Sequence, residues 1–221
     1  MSAPKKLDTR TVTALAMLAA LAYAVMWLSK LIPSVNGFLD FDFKDVIICI
    51  GGFTFGPAAA LILSVLVPVL EFLTISKTGP IGLLMNVLAT AAFCCTACAI
   101  YKKDHTRRGA VIGLASGVAV LTAVMLLWNY IVTPLYQHVP RDVVAGMLLP
   151  VFLPFNLAKG GLNMGATLLL YKPVVTALRS ARLAPPSQSA AAKRFSVGFI
   201  LFSLAVLVTF VLLALALLHV I

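Results

Sequence analysis

The chain has 221 residues, 62% of them apolar and 11% charged, with a mean hydropathy of +1.06. A soluble domain is about 45–50% apolar and about 25% charged. These values therefore exclude a cytosolic globular enzyme, a secreted disulfide scaffold and a disordered chain, and leave an all-α integral membrane protein with one polytopic domain. The net charge of +10 comes from 17 Lys and Arg against 7 Asp and Glu. In a soluble protein that would suggest nucleic acid. Here the basic residues sit mainly in breaks between apolar runs, where they act topogenically. The lipid bilayer, not nucleic acid, is the expected surrounding.

A spanning helix needs about 20 largely apolar residues. The first run, Thr11–Ile32, follows Lys5, Lys6 and Arg10. It is longer than a signal-peptide core of about 7–15 residues, so it reads as a retained helix. The second region, Asp45–Phe72, is interrupted by Gly51-Gly52, Gly56-Pro57 and Pro68. It is too long for one straight span, and it divides at Gly56-Pro57 into two short or tilted helices. Ile81–Tyr101 is the next span, closed by the basic stretch 102–108. Gly109 to about Thr133 follows and is expected to end at Pro134. An amphiphilic loop with Tyr136, His138, Arg141 and Asp142 leads to a span within Met147–Val175. A polar linker, Ser180–Arg194, precedes the uncharged run Phe195–Val220.

This gives seven spans, six plus one. Residues 1–10 form a cytoplasmic N-terminal segment, 11–178 a six-helix membrane domain, 179–194 a cytoplasmic linker and 195–221 an additional C-terminal transmembrane helix. With the N-terminus inside, twelve Lys and Arg fall in cytoplasmic segments, and four (Lys30, Lys44, Lys77 and Arg141) fall outside or at span ends. That bias predicts a multi-pass cell-membrane protein with its N-terminus cytoplasmic and its C-terminus outside.

A charge inside a bilayer is costly and commonly faces a cavity or a partner. Lys159 is the clearest case. Asn156, Lys159, Gly160 and Asn163 follow the i, i+3, i+4, i+7 spacing that puts them on one helical face. Two amides and an ammonium on one face read as a polar cavity wall; the competing reading is a Lys that snorkels to the interface. Asn129, beside Trp128 and Tyr130, is a second candidate for ligand contact, with interhelical hydrogen bonding as the alternative. Asn86 is a weaker third candidate of the same kind. Between Pro33 and Asp45, Phe and Asp alternate with period two through Leu39, Asp40, Phe41, Asp42 and Phe43, an extended pattern. Such a loop suits a lid over an outward cavity; an interfacial loop is the competing reading. Ala16, Ala20 and Ala24 recur every four residues. They form a ridge that admits a close partner helix, from another subunit or from the same bundle.

Several chemistries are missing. No P-loop, His-Glu-x-x-His or Gly-x-Ser-x-Gly occurs, and Glu71 is the single glutamate. Cys49, Cys94, Cys95 and Cys98 lie in apolar runs. Cys95-x-x-Cys98 has no second ligand pair nearby, so it reads as helix packing and not as a metal or redox site. No catalytic residue, metal or cofactor is expected. An intramembrane enzyme acting on a lipid would need a metal or acid cluster; a self-sufficient secondary carrier would need no ATPase. A binding protein whose energy comes from elsewhere fits better than either.

Five strings carry a resemblance: FLDFDFKD at Phe38–Asp45, GGFTFGP at Gly51–Pro57, GPIGLLMN at Gly79–Asn86, NYIVTPLY at Asn129–Tyr136 and PFNLAKG at Pro154–Gly160. In this order the chain resembles the riboflavin-specific S components of energy-coupling factor (ECF) vitamin transporters. The resemblance implies a six-helix bundle that captures riboflavin from outside. It also implies a membrane coupling subunit and two cytoplasmic ATPases as partners, with FMN or another vitamin as the alternative ligand. It further implies that Asn129 and Lys159 meet the ligand, that the loop from Leu39 to Phe43 covers it, and that Ala16, Ala20 and Ala24 face the coupling subunit. The seventh helix departs from that pattern.

Overall fold

A computed structural model of the chain describes residues 8–35, 37, 39–76, 78–184, 197–218 and 220. Eight α-helices follow in order: α1 Thr9–Ser29, α2 Lys44–Phe55, α3 Pro57–Thr74, α4 Gly79–Lys103, α5 Arg107–Gln137, α6 Arg141–Met147, α7 Leu153–Ser180 and α8 Val197–Leu217. A π-helical turn, Leu148–Phe152, joins α6 to α7. Among the described residues there is no strand; the extended pattern near residue 40 yields one isolated bridge, Val35 to Leu39. Most of the linker at 180–194, with Lys193 and Arg194, lies outside the described residues, as do Lys5, Lys6, Phe38, Lys77 and His219.

Six of the helices are long and apolar enough to cross a membrane. The bundle is therefore all-helical and multi-pass. The seventh expected span is α2, which has only 12 residues. At 1.5 Å per residue it covers about 18 Å of a hydrocarbon core about 30 Å thick. It lies amid α1, α3, α4 and α7, and Lys44 to Phe53 are all buried. The extended segment Asp40–Phe43 precedes it directly. The division at Gly56-Pro57 stands where it was expected. Gly56 has φ +100° and ψ 170°, a conformation open essentially only to glycine, and Pro57 starts α3.

Two expected boundaries move. Helix α5 does not stop before Pro134 but runs through it to Gln137, where His138 caps it in the left-handed region. A proline removes one backbone hydrogen bond, a loss that membrane helices tolerate where neighbours re-satisfy the freed groups. The region expected as an amphiphilic loop is partly helical, with Arg141 and Asp142 opening α6. Pro150 and Pro154 then interrupt the regular hydrogen bonding, and the chain passes through the π-helical turn.

The cysteines pack between α2 and α4. Cys49 donates to Cys94 Sγ at 3.3 Å, and Cys98 donates to the Cys49 carbonyl at 3.8 Å. All four thiols are free. At one end of the bundle Phe53 packs tilted on Tyr101, Tyr171 meets both rings edge-on, and the two tyrosine hydroxyls are hydrogen-bonded. Lys102, Lys103 and Arg107 mark this basic end. The opposite, loop end carries residues 31–35 and 39–43.

Helix α8 packs on α7. Its seat is Gly161 and Gly165, a Gly-x-x-x-Gly pair of the kind that lets membrane helices approach closely. A Cβ on Gly161 would stand 2.3 Å from the Phe210 ring, and one on Gly165 would stand 2.9 Å from Leu207 Cα and 3.0 Å from its nitrogen. One conflict is with a side chain and the other with backbone, which separates the two sites experimentally. Gly161→Ala and Gly165→Ala should each lower the Tm. Phe210→Ala should rescue the first, whereas Leu207→Ala should fail to rescue the second. Thermal unfolding of the four variants in detergent checks this.

Candidate functional site

The polar residues of the loop end belong to a buried charge cluster and an adjoining cleft. The cluster is centred on Asp42. Its Oδ2 accepts from Lys159 Nζ at 2.7 Å, and its Oδ1 lies 2.9 Å from Lys44 Nζ. The three side chains are only 7%, 10% and 1% exposed in the order Asp42, Lys159, Lys44. Asn163 donates its amide to the Asp42 carbonyl at 2.9 Å. Next along the chain, the Asp45 carboxylate accepts from Thr90 of α4 at 2.9 Å. Burial alone would raise the Asp42 pKa; Lys159 and Lys44 outweigh it and hold the carboxyl below the usual carboxylate range.

This arrangement explains why α2 begins where it does. Leu39 and Phe41 are buried, and Phe41 packs on Phe155 of α7 with ring centroids 5.0 Å apart. The same apolar cluster takes in Val144, Phe152, Leu162 and, from α8, Ala214. Strict alternation would send Asp40 and Asp42 to one outer face. Instead Asp42 is buried with Phe41, while Asp40 and Phe43 are half-buried. The ammonium groups of Lys159 and Lys44 supply what a buried carboxylate requires.

On α7, Asn156, Lys159 and Asn163 are all buried on one face, as their spacing suggests. Gly160 beside them lies against Val118 and Leu121 of α5. Asn156 donates to the Phe152 carbonyl at 2.7 Å. Asn163 Oδ1 is buried with no hydrogen-bond donor among the described residues. Lys159 does not snorkel; it is committed to Asp42.

The cleft lies between α4 and α5 and is partly open to its surroundings. Leu39 of the loop closes one side. Met85 and Trp128 supply apolar wall, and Thr78, Asn129, Thr133 and Gln137 supply polar groups. Asn129 is buried, donates to the Met125 carbonyl at 2.7 Å and accepts from Thr133 at 2.9 Å. The structure thus brings Asn129 and Leu39 to one cleft. It does not bring Lys159, Asn163 and Asp42 to the cleft lining; they meet one another in the charge cluster.

Asn86 does not line the cleft. It donates to Glu71 Oε2 at 2.9 Å, and Glu71 Oε1 lies 2.9 Å from Lys30. Lys30 also reaches Asp40 at 3.0 Å, and Ser34 donates to the same carboxylate. These partners were not anticipated from sequence, although the scarcity of acids in so basic a chain made each one a candidate counter-ion. On α1, Ala16, Ala20 and Ala24 are exposed, while Ala14, Leu15, Leu18, Ala19 and Ala22 face the bundle. The alanine ridge is not used for packing within the described fold. Among the described residues no group of His, Cys, Asp or Glu is arranged to hold a metal.

The structure is a helical membrane bundle with a buried polar cluster under its loop end, and comparison with known proteins gives its class. Residues 10–171 match the family model described as ECF transporter, substrate-specific component. The chain belongs to this family. It is 32% identical over 171 residues to the riboflavin transporter RibU of Staphylococcus aureus (strain TCH60), covering 75% of this chain and 90% of the relative. It is 27% identical over 194 residues to the riboflavin transporter FmnP of Bacillus subtilis (strain 168), covering 80% of this chain and all of the relative. A solved structure reported as the S component of a bacterial ECF transporter aligns with a TM-score of 0.65 at 32% identity, covering 77% of this chain and 98% of its own. The family match ends before α8 begins.

Breaking a buried ion pair from one side leaves an uncompensated charge and costs about 3–5 kcal/mol. Asp42→Asn leaves two buried ammonium groups without their shared carboxylate. Lys159→Met leaves Asp42 still opposite Lys44. The first substitution should therefore lower the Tm distinctly more than the second, read by thermal unfolding in the same detergent; equal losses would make Lys159 the dominant partner.

Proposed function

We propose that this protein captures riboflavin in the cleft beneath Leu39 and delivers it inward as the substrate-binding subunit of an ECF transporter. The observation that carries the reading is the cleft itself. Riboflavin is a flat tricycle with a hydrogen-bonding pyrimidine edge and a ribityl chain. Such a ligand calls for apolar and aromatic walls with a few fixed donors and acceptors. Trp128 and Met85 offer the first, and the Asn129 and Gln137 amides, each donor and acceptor at once, offer the second. The named riboflavin transporters among its relatives support the same ligand.

In this reading residues 11–178 are the substrate-binding domain and 195–221 an added helix. Asn129 touches the ligand. Asn156, Lys159 and Asn163, with Asp42, form the polar layer behind it, and Leu39 to Phe43 cover it. Asn86 and Asp40 act at one remove, through Glu71 and Lys30. The loop end faces outside, in keeping with the charge bias, and the N-terminus is cytoplasmic. The energy comes from a membrane coupling subunit and two cytoplasmic ATPases. The protein performs no chemistry on its ligand, and no catalytic residue is assigned.

Purified in detergent, the protein should be yellow, bind about one riboflavin per chain and quench its fluorescence through ring contacts. Asn129→Ala should weaken binding by about tenfold, the size of one lost hydrogen bond of roughly 1.4 kcal/mol. Binding of thiamine or biotin in place of riboflavin would sink the assignment, and tighter binding of FMN would redefine the ligand.

The exposed ridge Ala16, Ala20 and Ala24 is the proposed docking face for the coupling subunit. Ala20→Trp should hold a close partner helix off, because such contacts depend on van der Waals fit. Riboflavin binding and Tm should stay near normal, while ATP-driven uptake and co-purification with the coupling subunit should be lost. Uptake that survives unchanged would remove this face as the docking surface.

A further inference from the structure

The loop that closes the cleft is tied twice, and the second tie lies outside the proposed ligand contacts. Lys30, just past the end of α1, stands between two carboxylates: Asp40 of the loop at 3.0 Å and Glu71 of α3 at 2.9 Å. Glu71 is nearly buried, with a side-chain exposure of 5%, and its other oxygen accepts from Asn86 of α4. Ser34 donates to the remaining Asp40 oxygen. The end of α1, the loop and α3 therefore meet at one ammonium, and α4 joins them through Glu71. Asn86 lies one helical turn from Gly82 and next to Met85, both on the cleft wall, and Asp40 follows Leu39, which closes the cleft.

From this we infer that Lys30 and Glu71 are positioning residues for ligand retention: together they latch the Leu39–Asp40 segment of the loop across the cleft. The inference rests on the proposed riboflavin site for its functional consequence, but the latch itself is readable without any ligand.

Charge placement favours a latch over an incidental surface pair. Glu71 is the single glutamate of the chain, set into the bundle where a carboxylate needs a fixed partner. Lys30 meets that need and also carries the loop carboxylate. Burial acts to lower the Lys30 pKa, yet the facing Glu71 and Asp40 outweigh it and raise it above its ordinary value. Asp40 moves the opposite way: burial acts to raise it, and Ser34 and Lys30 bring it below the ordinary carboxylate value. Both groups are therefore charged at neutral pH.

The test uses the full chain with two readouts. Leu39 is buried, so a cysteine in its place (Leu39→Cys) reacts with a maleimide only when the loop lifts. Lys30→Met and Glu71→Gln are each introduced into that background, with Lys30→Arg as the conservative control. Glu71→Gln keeps the size of the side chain and a carbonyl oxygen for Asn86, which guards against a variant that merely fails to fold. Labelling should speed up about threefold or more in Lys30→Met, the change expected for losing the partly exposed Lys30–Asp40 pair, and by less in Glu71→Gln, which keeps that pair and removes only the anchor of Lys30; it should stay near the starting rate in Lys30→Arg. The double variant should match Lys30→Met, because Glu71 acts on the loop only through Lys30. In the chain with Leu39 intact, stopped-flow fluorescence should show riboflavin leaving faster in the same two variants, with capture little changed. Unchanged labelling in folded Lys30→Met and Glu71→Gln overturns the latch. Faster labelling with an unchanged riboflavin off-rate overturns its role in retention. Faster labelling in a protein that does not bind riboflavin supports the latch and sinks the ligand assignment instead.

Discussion

One carboxylate shared by two lysines sets the layout of the loop end. Asp42 sits between Lys44 and Lys159 with all three side chains nearly out of solvent. An unpaired charge at that depth would cost several kcal/mol, and a pair is tolerated only when its geometry is good and its remaining groups are satisfied. The pair therefore constrains everything attached to it. It fixes how the chain enters α2, since Asp42 and Lys44 flank the first turn. It fixes the rotation of α7, since Lys159 must face α2, and with it the burial of Asn156 and Asn163 on the same face. It also draws the loop inward, so that Phe41 meets Phe155.

The rotation of α7 has a consequence on its far side. Gly161 and Gly165 lie about 200° round the helix from Lys159 and Asn163, as 100° per residue dictates. With the polar face turned to α2, the glycine pair faces outward and receives α8. Helix α8 in turn contributes Ala214 to the apolar cluster that seats Phe41 and Leu39. The added helix, outside the family match, thus backs the element that carries the polar layer. The short α2 plays the complementary part. A helix too short to span leaves room at its N-terminal end, and the loop with its charges fills that room.

Much of this was legible in the sequence. The apolar runs located the long helices to within a few residues, because lipid demands about 20 apolar residues and tolerates few charges. Gly56-Pro57 marked the break between α2 and α3, because glycine admits the positive φ of the junction and proline suits the first position of the next helix. The spacing of Asn156, Lys159 and Asn163 gave their common face. What periodicity does not encode is partnership between distant segments. Lys159 and Asp42 are 117 residues apart, and Asn86 and Glu71 lie on different helices. A lone Asn in an apolar run reads the same whether it meets a ligand or a carboxylate. Pro134 misled for a related reason: its cost depends on what surrounds the helix. The Gly161 and Gly165 pair was not singled out from sequence; its meaning required knowing which face of α7 was already occupied.

The two ties on the loop differ in kind. At Asp42 the tie is buried and shared by two cations, so opening it would strand charge inside the bundle. At Asp40 the tie is about one-third exposed, with side-chain values of 34% for Lys30 and 39% for Asp40. Exposed pairs contribute only about 0–1 kcal/mol, because water competes for both partners. Phe41 lies between them, held in an apolar cluster shared with α7 and α8. Strain on the loop from the cleft side would therefore release Asp40 and Leu39 first and leave Asp42 in place. The chain would pivot near Phe41, and the cleft would open without exposing the buried charges. A binding protein that must admit a polar ligand and keep its own ion pairs dry needs this ordering. Here it follows from the depths at which two aspartates, two residues apart, are buried.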